Sequence, residues 1–289
     1  MPFIATPASA DERPQACRVL FAHTAFADLA ADRFQEMISR GELDPAGLIV
    51  AKAGGTICGA IFAYRIGGGQ AAIWLPSATD VKMQDVLVAG VVDWIRREPT
   101  NVIQAIVRQA ELPRTPPLVR AGFQNVTRLV FLTREASPCQ SPRGRLQFHA
   151  ETVVTPSFAE LLTRTYDGTL DVPELNGRRT GEDILAGYLA ACESHPPQWW
   201  WVERDGESVG VLLLSPTDDP RTTELTYLGL VPEFRGQGLG REVLRFALAA
   251  AGRRSVCLNV DERNEPALRL YRAANFYEFD RREVFLLFP

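Results

Sequence analysis

Histidine, lysine and patterned cysteine are scarce in this chain of 289 residues. It holds three His (His23, His149, His195), two Lys (Lys52, Lys82) and five Cys (Cys17, Cys58, Cys139, Cys192, Cys257). No pair of these falls at metal-ligand or redox spacing, so no metal centre and no thiol chemistry are expected. An odd, unpatterned Cys set without a recognisable leader fits a reducing cytoplasm, where a Cys is most often a small buried apolar residue. No stretch approaches the roughly 18 apolar residues of a membrane span, so no membrane partner is expected. Positive charge is not in excess either: 31 Lys and Arg face 35 Asp and Glu, a net charge of −4 with a pI near 5.6. That removes the uniform basic field that nucleic-acid backbones require. Arg supplies 29 of the 31 basic side chains, which reads as coding bias rather than function.

What is present is an ordinary soluble composition, 46% hydrophobic and 23% charged. The length suits two domains of roughly 100–150 residues each. Self-similarity supports that division. Val50-Ala-Lys-Ala-Gly54-Gly55-Thr-Ile-Cys-Gly59 lines up without gaps on Trp201-Val-Glu-Arg-Asp205-Gly206-Glu-Ser-Val-Gly210, an offset of 151. Both spell strand, two-residue turn, strand, because Gly-Gly and Asp-Gly tolerate the positive φ of tight hairpins. Leu118–Phe123 likewise matches Leu270–Phe276 at offset 153, each followed by a last strand, Thr127–Thr133 and Arg282–Phe288. Ser9-x-x-Glu12 and Ser157-x-x-Glu160 are capping-box starts at offset 148. Glu135–Gly144, rich in Pro, Ser and Gly, reads as a linker. The expected organisation is residues 1–135, a linker at 136–144, and residues 145–289. Each half reads β, two helices, a hairpin, another strand, helix, strand, helix, strand: an α+β fold around a mixed, mostly antiparallel sheet flanked by helices. Residues 1–144 carry a charge of +2 and residues 145–289 a charge of −6.

The most informative segment runs from Glu224 to Arg241. Glu224, Thr226, Leu228 and Leu230 alternate along a strand and are expected on one face. A helix follows, with Leu239, Val243, Phe246, Ala247 and Ala250 at helical spacing and Gly252 as its stop. Strand, glycine loop and helix N-terminus together make an anion site from backbone N–H groups. The spacing Gly236-x-Gly238-x-Gly240 followed by Arg241 misplaces the third glycine of a dinucleotide fingerprint. It also lacks the Lys-Ser/Thr of a nucleotide P-loop. Taken alone, such a loop also suits an ordinary turn.

The form Arg235-Gly-Gln-Gly238-Leu-Gly240 after Val231-Pro232 resembles the acyl-CoA pyrophosphate loop of the GNAT N-acetyltransferase superfamily. Asn259-Val-Asp-Glu-Arg-Asn264-Glu-Pro266-Ala267 and Tyr271-Arg-Ala-Ala-Asn275-Phe276 are similar to that family's Asn-x-x-Ala helix and its Tyr-x-x-x-Gly-Phe ending, with Asn275 replacing Gly. The resemblance covers residues 145–289. It implies tandem GNAT-like folds, an arrangement similar to mycothiol synthases, with acetyl-CoA as acyl donor and no metal. The matching position in the first half, Leu75–Val86, has no glycine and carries Asp80 where a phosphate would approach. The first half therefore reads as a copy without the donor site.

The resemblance also implies roles. Arg235, Gly236, Gln237, Gly238, Leu239, Gly240 and Arg241 would hold pyrophosphate, mainly through main chain. Leu230 and Val231 would pair with the pantetheine arm, one N–H polarising the thioester, and Asn264 would hydrogen-bond that arm. Tyr271 matches a general acid, or else a packed helix tyrosine. Glu224 matches a general base, or else a solvent-facing strand residue. The aperiodic stretch Asp167–Thr180 offers Glu174, Asn176 and Arg178 as acceptor contacts, or else a surface loop. Trp199-Trp200-Trp201 cannot form one wall, because neighbouring strand residues point to opposite faces. The leading function is N-acetylation of a small-molecule or peptide amine by direct transfer in a ternary complex. The alternative is a non-catalytic acyl-CoA sensor.

Overall fold

The computed structural model describes residues 3–137, 144–151, 155–190 and 198–289. Most of the expected linker (138–143, with Cys139), Cys192 and His195 lie outside the described residues. In chain order the elements are β1 (Ala5–Pro7), α1 (Arg13–Phe21), α2 (Ala27–Ser39), β2 (Leu48–Ala53), β3 (Thr56–Arg65), β4 (Gln70–Ile73), β5 (Ser77–Ala78), α3 (Val81–Ile95), β6 (Val102–Arg108), α4 (Pro116–Arg120) and β7 (Gln124–Arg134). There follow β8 (Gln147–Glu151), α5 (Pro156–Arg164), α6 (Gly181–Ala190), β9 (Gln198–Arg204), β10 (Glu207–Pro216), β11 (Thr222–Leu230), α7 (Leu239–Ala251), β12 (Ser255–Asp261), α8 (Glu265–Ala273) and β13 (Tyr277–Leu287).

The chain forms two compact units whose bounds differ from the expected ones. Unit 1 comprises residues 1–126 with 283–289, and unit 2 comprises residues 127–282. The boundaries therefore fall inside β7 and β13 rather than at the linker. Packing is the reason: Phe285 joins the core of unit 1 around Ile61, Leu87 and Ile103, whereas Val130 and Leu132 join the core of unit 2.

Within unit 1 the strand order is β1-β2-β3-β4-β6, antiparallel except for parallel β4 and β6. Helix α3 covers one face through Leu87, Val88, Val91 and Ile95, and α1 and α2 cover the other through Cys17, Leu20 and Phe34. Asp80 caps α3, accepting the Met83 N–H at 3.0 Å. A carboxylate fixed at a helix N-terminus is electrostatically favourable in itself and repels a phosphate.

Unit 2 repeats the plan with strand order β7-β12-β11-β10-β9-β8, in which only β11 and β12 are parallel. The hairpin turns carry the expected positive φ, 58° and 84° at Gly54 and Gly55 and 53° and 84° at Asp205 and Gly206. Asn275, at φ 62°, takes the left-handed position expected of it. Helix α7 buries Leu239, Val243, Leu244, Ala247, Leu248 and Ala251. Its fully buried stripe is rotated from the expected one, with Phe246 and Ala250 only half-buried against the core and Phe246 stacked on Phe148. Helix α5 is capped by Thr155, which accepts the Phe158 N–H at 3.2 Å, two residues before the expected Ser157. Trp199 and Trp201 pack on the α5 side and Trp200 on the α7 side.

The last glycine of each repeated hairpin is crowded. A Cβ at Gly59 would lie 2.9 Å from the Ala78 Cβ, and one at Gly210 would lie 2.3 Å from the Gly229 carbonyl oxygen. The second neighbour is backbone and cannot rotate away. Gly210→Ala should therefore cost about 1–3 kcal/mol through overpacking, seen by calorimetry as a lower unfolding midpoint; an unchanged midpoint would show that the strands separate freely there.

Candidate active site

Strands β11 and β12 pair over only three residues, Thr222–Glu224 against Ser255–Cys257, although β11 runs on to Leu230 and β12 to Asp261. On its other edge, β11 shifts register against β10: Leu213 pairs with Tyr227 and Leu214 with Leu225, leaving Thr226 as an extra residue. Such a bulge bends its strand and strengthens the twist, which carries β11 away from β12. The bulge also reverses the side-chain alternation. Leu225, Leu228 and Leu230 pack on the α7 side, whereas Tyr227 packs on the α5 side. Glu224 consequently shares the face of Tyr227. This corrects the expected common face with Leu228 and Leu230.

The bulge leaves backbone groups open to the gap. The Val231 N–H donates to the Val209 carbonyl at 3.0 Å. Because donors alternate in direction along a strand, the N–H groups of Leu228 and Leu230 face the gap.

The glycine loop forms the second wall. Gly236 and Gly238 have φ of 73° and 76°, and a Cβ on either would meet nothing within 4 Å. Glycine is needed there for conformation rather than for room within the protein. The N–H groups of residues 236–240 donate to no described residue. Together with the dipole of α7 they form a positive row suited to an anion. Arg235, by contrast, is a clamp: its guanidinium donates to the carbonyls of Leu230 (2.9 Å), Thr165 (2.9 Å) and Gly168 (3.3 Å).

The third wall is the loop between α5 and α6. Asp171 enters the gap and accepts the Asp261 N–H at 2.9 Å and the Asn264 Nδ2 at 3.1 Å. Behind it, fully buried Asp261 accepts Thr127 Oγ1 at 2.7 Å, the Val172 N–H at 3.0 Å and Arg263 Nη2 at 2.7 Å. Burial opposes ionisation of Asp261, yet the donors from Arg263 and Thr127 hold its carboxyl below the usual range. Arg263 grips Glu174 as well, at 2.7 and 2.9 Å, which keeps the Glu174 carboxyl low. Val172 is held at φ 42°. That conformation is strained for a β-branched residue, and such strain persists only where the surroundings over-determine it.

These walls enclose a cleft of about 580 Å³, lined among others by Asp171, Tyr227, Leu230, Gly238 and Asn264. Burial pushes the Asp171 carboxyl up. Tyr271 is buried on α8 and its hydroxyl is pushed well up, by burial first and by the Asp171 charge second. Glu224 lies at the closed end of the gap, where burial raises its carboxyl.

A family model described as "Acetyltransferase (GNAT) family" matches residues 158–276. Over 121 residues the chain is 31% identical to the peptidyl-lysine N-acetyltransferase YjaB of Escherichia coli (strain K12), covering 42% of this chain and 74% of that protein. The chain belongs to the GNAT acetyltransferase family. It is also 36% identical over 112 residues to a mycothiol acetyltransferase of Thermomonospora curvata, covering 38% of this chain and 37% of that one. Among solved structures, a tandem GNAT protein from the clavulanic acid biosynthesis pathway superposes with a TM-score of 0.58 at 16% identity, covering 99% of this chain and 98% of that chain. A GCN5-related N-acetyltransferase from Sphaerobacter thermophilus gives 0.61 at 19% identity, covering 99% and 96%.

In this GNAT chain Leu230, Arg235, Gly236, Gly238, Gly240, Arg241 and Asn264 line the cleft, whereas Glu224, Val231, Gln237, Leu239 and Tyr271 do not, Tyr271 being packed in the core. Val231 is fully buried, and its N–H and carbonyl are taken by Val209 and Phe234. The gap-facing backbone belongs to Leu228 and Leu230 instead. Gln237 turns outward to Arg204 and the Glu233 carbonyl, and Leu239 is core. Asn264 caps α8 through the Ala267 N–H at 3.2 Å, so both ends of its amide are already engaged. Glu174, Asn176 and Arg178 lie outside the cleft. Glu174 is spent on Arg263, and Arg178 donates back to the Glu174 carbonyl at 3.1 Å. Asp171, which also lines the cleft, carries no signal in the sequence beyond being an acid within the same aperiodic stretch.

Gly238→Glu should abolish binding of acetyl-CoA, measured by isothermal titration, because it combines a strained φ with negative charge at the row of N–H donors. Retained affinity would show that the loop serves another purpose.

Proposed function

We propose that unit 2 transfers an acetyl group from acetyl-CoA directly to a primary amine of a small molecule or peptide. One observation carries the reading: the uncommitted N–H groups of Gly236, Gly238 and Gly240 lie in the lining of the same cleft as the free edge of β11. A pyrophosphate and an extended, amide-bearing arm can thus both be held by main chain. Family membership supports acetyl-CoA as the donor, and the relatives described above are named as a peptidyl-lysine N-acetyltransferase and a mycothiol acetyltransferase.

The amine must lose a proton before it attacks the thioester carbonyl. Glu224 takes that proton, directly or through water, and its burial lifts its basicity toward neutral pH. The nitrogen then bonds to the carbonyl carbon. Negative charge developing on the thioester oxygen is met by an N–H of Leu228 or Leu230, a preorganised donor that costs no reorganisation. As the carbon–sulfur bond breaks, the Tyr271 hydroxyl supplies the thiolate with its proton, and the proton released by the newly acylated nitrogen returns through water to restore that hydroxyl. That hydroxyl makes no hydrogen bond to any described residue, and its raised pKa keeps the proton in place beforehand.

Two variants separate these roles. Tyr271→Phe should lower kcat about 10- to 100-fold with little change in the KM for acetyl-CoA, as expected for loss of one general acid; an unaltered rate would remove the tyrosine from the chemistry. A carboxyl with a raised pKa is protonated, and useless as a base, at pH values where an ordinary Glu is already ionised. The acid limb of kcat should therefore lie above the ordinary Glu range and disappear in Glu224→Gln. Acetyl-CoA binding without thiol release toward polyamines, aminoglycosides, amino acids or peptides would favour a sensor.

A further inference from the structure

Asp171 is a carboxylate without a counter-cation. It forms no ion pair with any described residue. The nearby guanidinium groups are engaged elsewhere, Arg263 with Asp261 and Glu174 and Arg235 with three carbonyls. Each Asp171 oxygen accepts a single N–H, from Asp261 or from Asn264, and so keeps a lone pair for another donor. The groups facing it are one more carboxylate and a set of rings. Asp261 lies behind it, and the Asp171 charge itself reaches the hydroxyls of Tyr166, Tyr227 and Tyr271. Tyr227 lines the cleft beside it, stacked on Tyr166 with ring centroids 5.0 Å apart. A carboxylate beside aromatic faces is the combination that binds an ammonium ion.

The chain also spends conformational energy to hold Asp171 there. The residue that follows it carries the strained φ of 42°, pinned by the Asp261 carboxylate through its own N–H. A surface loop has no need of such a conformation.

We propose that Asp171, with the ring of Tyr227 beside it, is the docking site for the acceptor's ammonium group and selects primary amines that are cationic at neutral pH. This rests on the acetyltransferase reading above. The acidic balance of the second half is consistent with a cationic acceptor, but the selectivity is assigned to this one carboxylate.

The test compares wild type with Asp171→Asn and Asp171→Glu, using alkylammonium acceptors against weakly basic amines that are neutral at the assay pH, such as hydroxylamine and aniline. Asp171→Asn keeps an oxygen for the Asp261 N–H and removes the charge. It should lower kcat/KM for cationic acceptors by about 30-fold or more, in line with loss of a charge-assisted hydrogen bond. For neutral amines the change should stay within about threefold, as should the Kd for acetyl-CoA, and Asp171→Glu should restore part of the loss. An equal loss for both acceptor classes, or a loss confined to acetyl-CoA affinity, would reduce Asp171 to a structural anchor of the loop and overturn the proposal; so would an unchanged kcat/KM. If wild type releases no thiol with any amine, the acetyltransferase reading fails. The Asp171 site is then decided by titrating CoA-loaded protein with butylammonium alone, where equal affinity in wild type and Asp171→Asn, or none in either, overturns it.

Discussion

The separation of two parallel strands after three paired residues is the constraint on which unit 2 depends. A strand that leaves its neighbour exposes backbone donors and acceptors that must find other partners or meet water. On the β12 side the chain satisfies them internally, since the Asp261 N–H is taken by Asp171. On the β11 side it does not, and the N–H groups of Leu228 and Leu230 remain open. The cleft is therefore asymmetric by construction, with one edge closed by a loop and the other free to receive a strand-like ligand. Everything on the closed edge, from the strained Val172 to the Glu174–Arg263–Asp261 chain, holds that loop against the edge.

The two units share a fold and differ at the start of one helix. Both have a three-layer plan, a crowded glycine at the end of the first hairpin, and a helix joining the two strands that pair in parallel. In unit 2 that helix begins with free N–H groups after two glycines. In unit 1 it begins with Asp80, whose carboxylate takes the Met83 N–H. The same local physics that makes a helix start attract an anion is satisfied by a side chain of the protein itself. One capping residue stabilises the helix and closes it to phosphate.

Much of this was legible in the amino-acid order, because it depended on local rules. The element sequence of each half, the hairpin turns at Gly54-Gly55 and Asp205-Gly206, the left-handed Asn275 and the free helix start after Gly238 follow from turn chemistry and periodicity. What was not legible depends on where a polar group finds its partner in space. Arg235 looked like a phosphate ligand and is a clamp on three carbonyls; Glu174 looked like an acceptor contact and is bound to Arg263. Glu224 was assigned to the wrong face because strict alternation cannot register the single extra residue at Thr226. Asp171 was overlooked because nothing within ten residues of it announces the strand ending ninety positions later.

The bounds of the two units carry a further consequence. Unit 2 is continuous from residue 127 to residue 282, while unit 1 is interrupted and resumes at residue 283. In chain terms one unit is inserted within the other, although the sequence repeat is a plain tandem. Each copy's last strand lends residues to the other copy's core, Val130 and Leu132 one way and Phe285 the other. A cut at the linker would therefore leave each piece with a last strand whose core residues belong to the other compact unit.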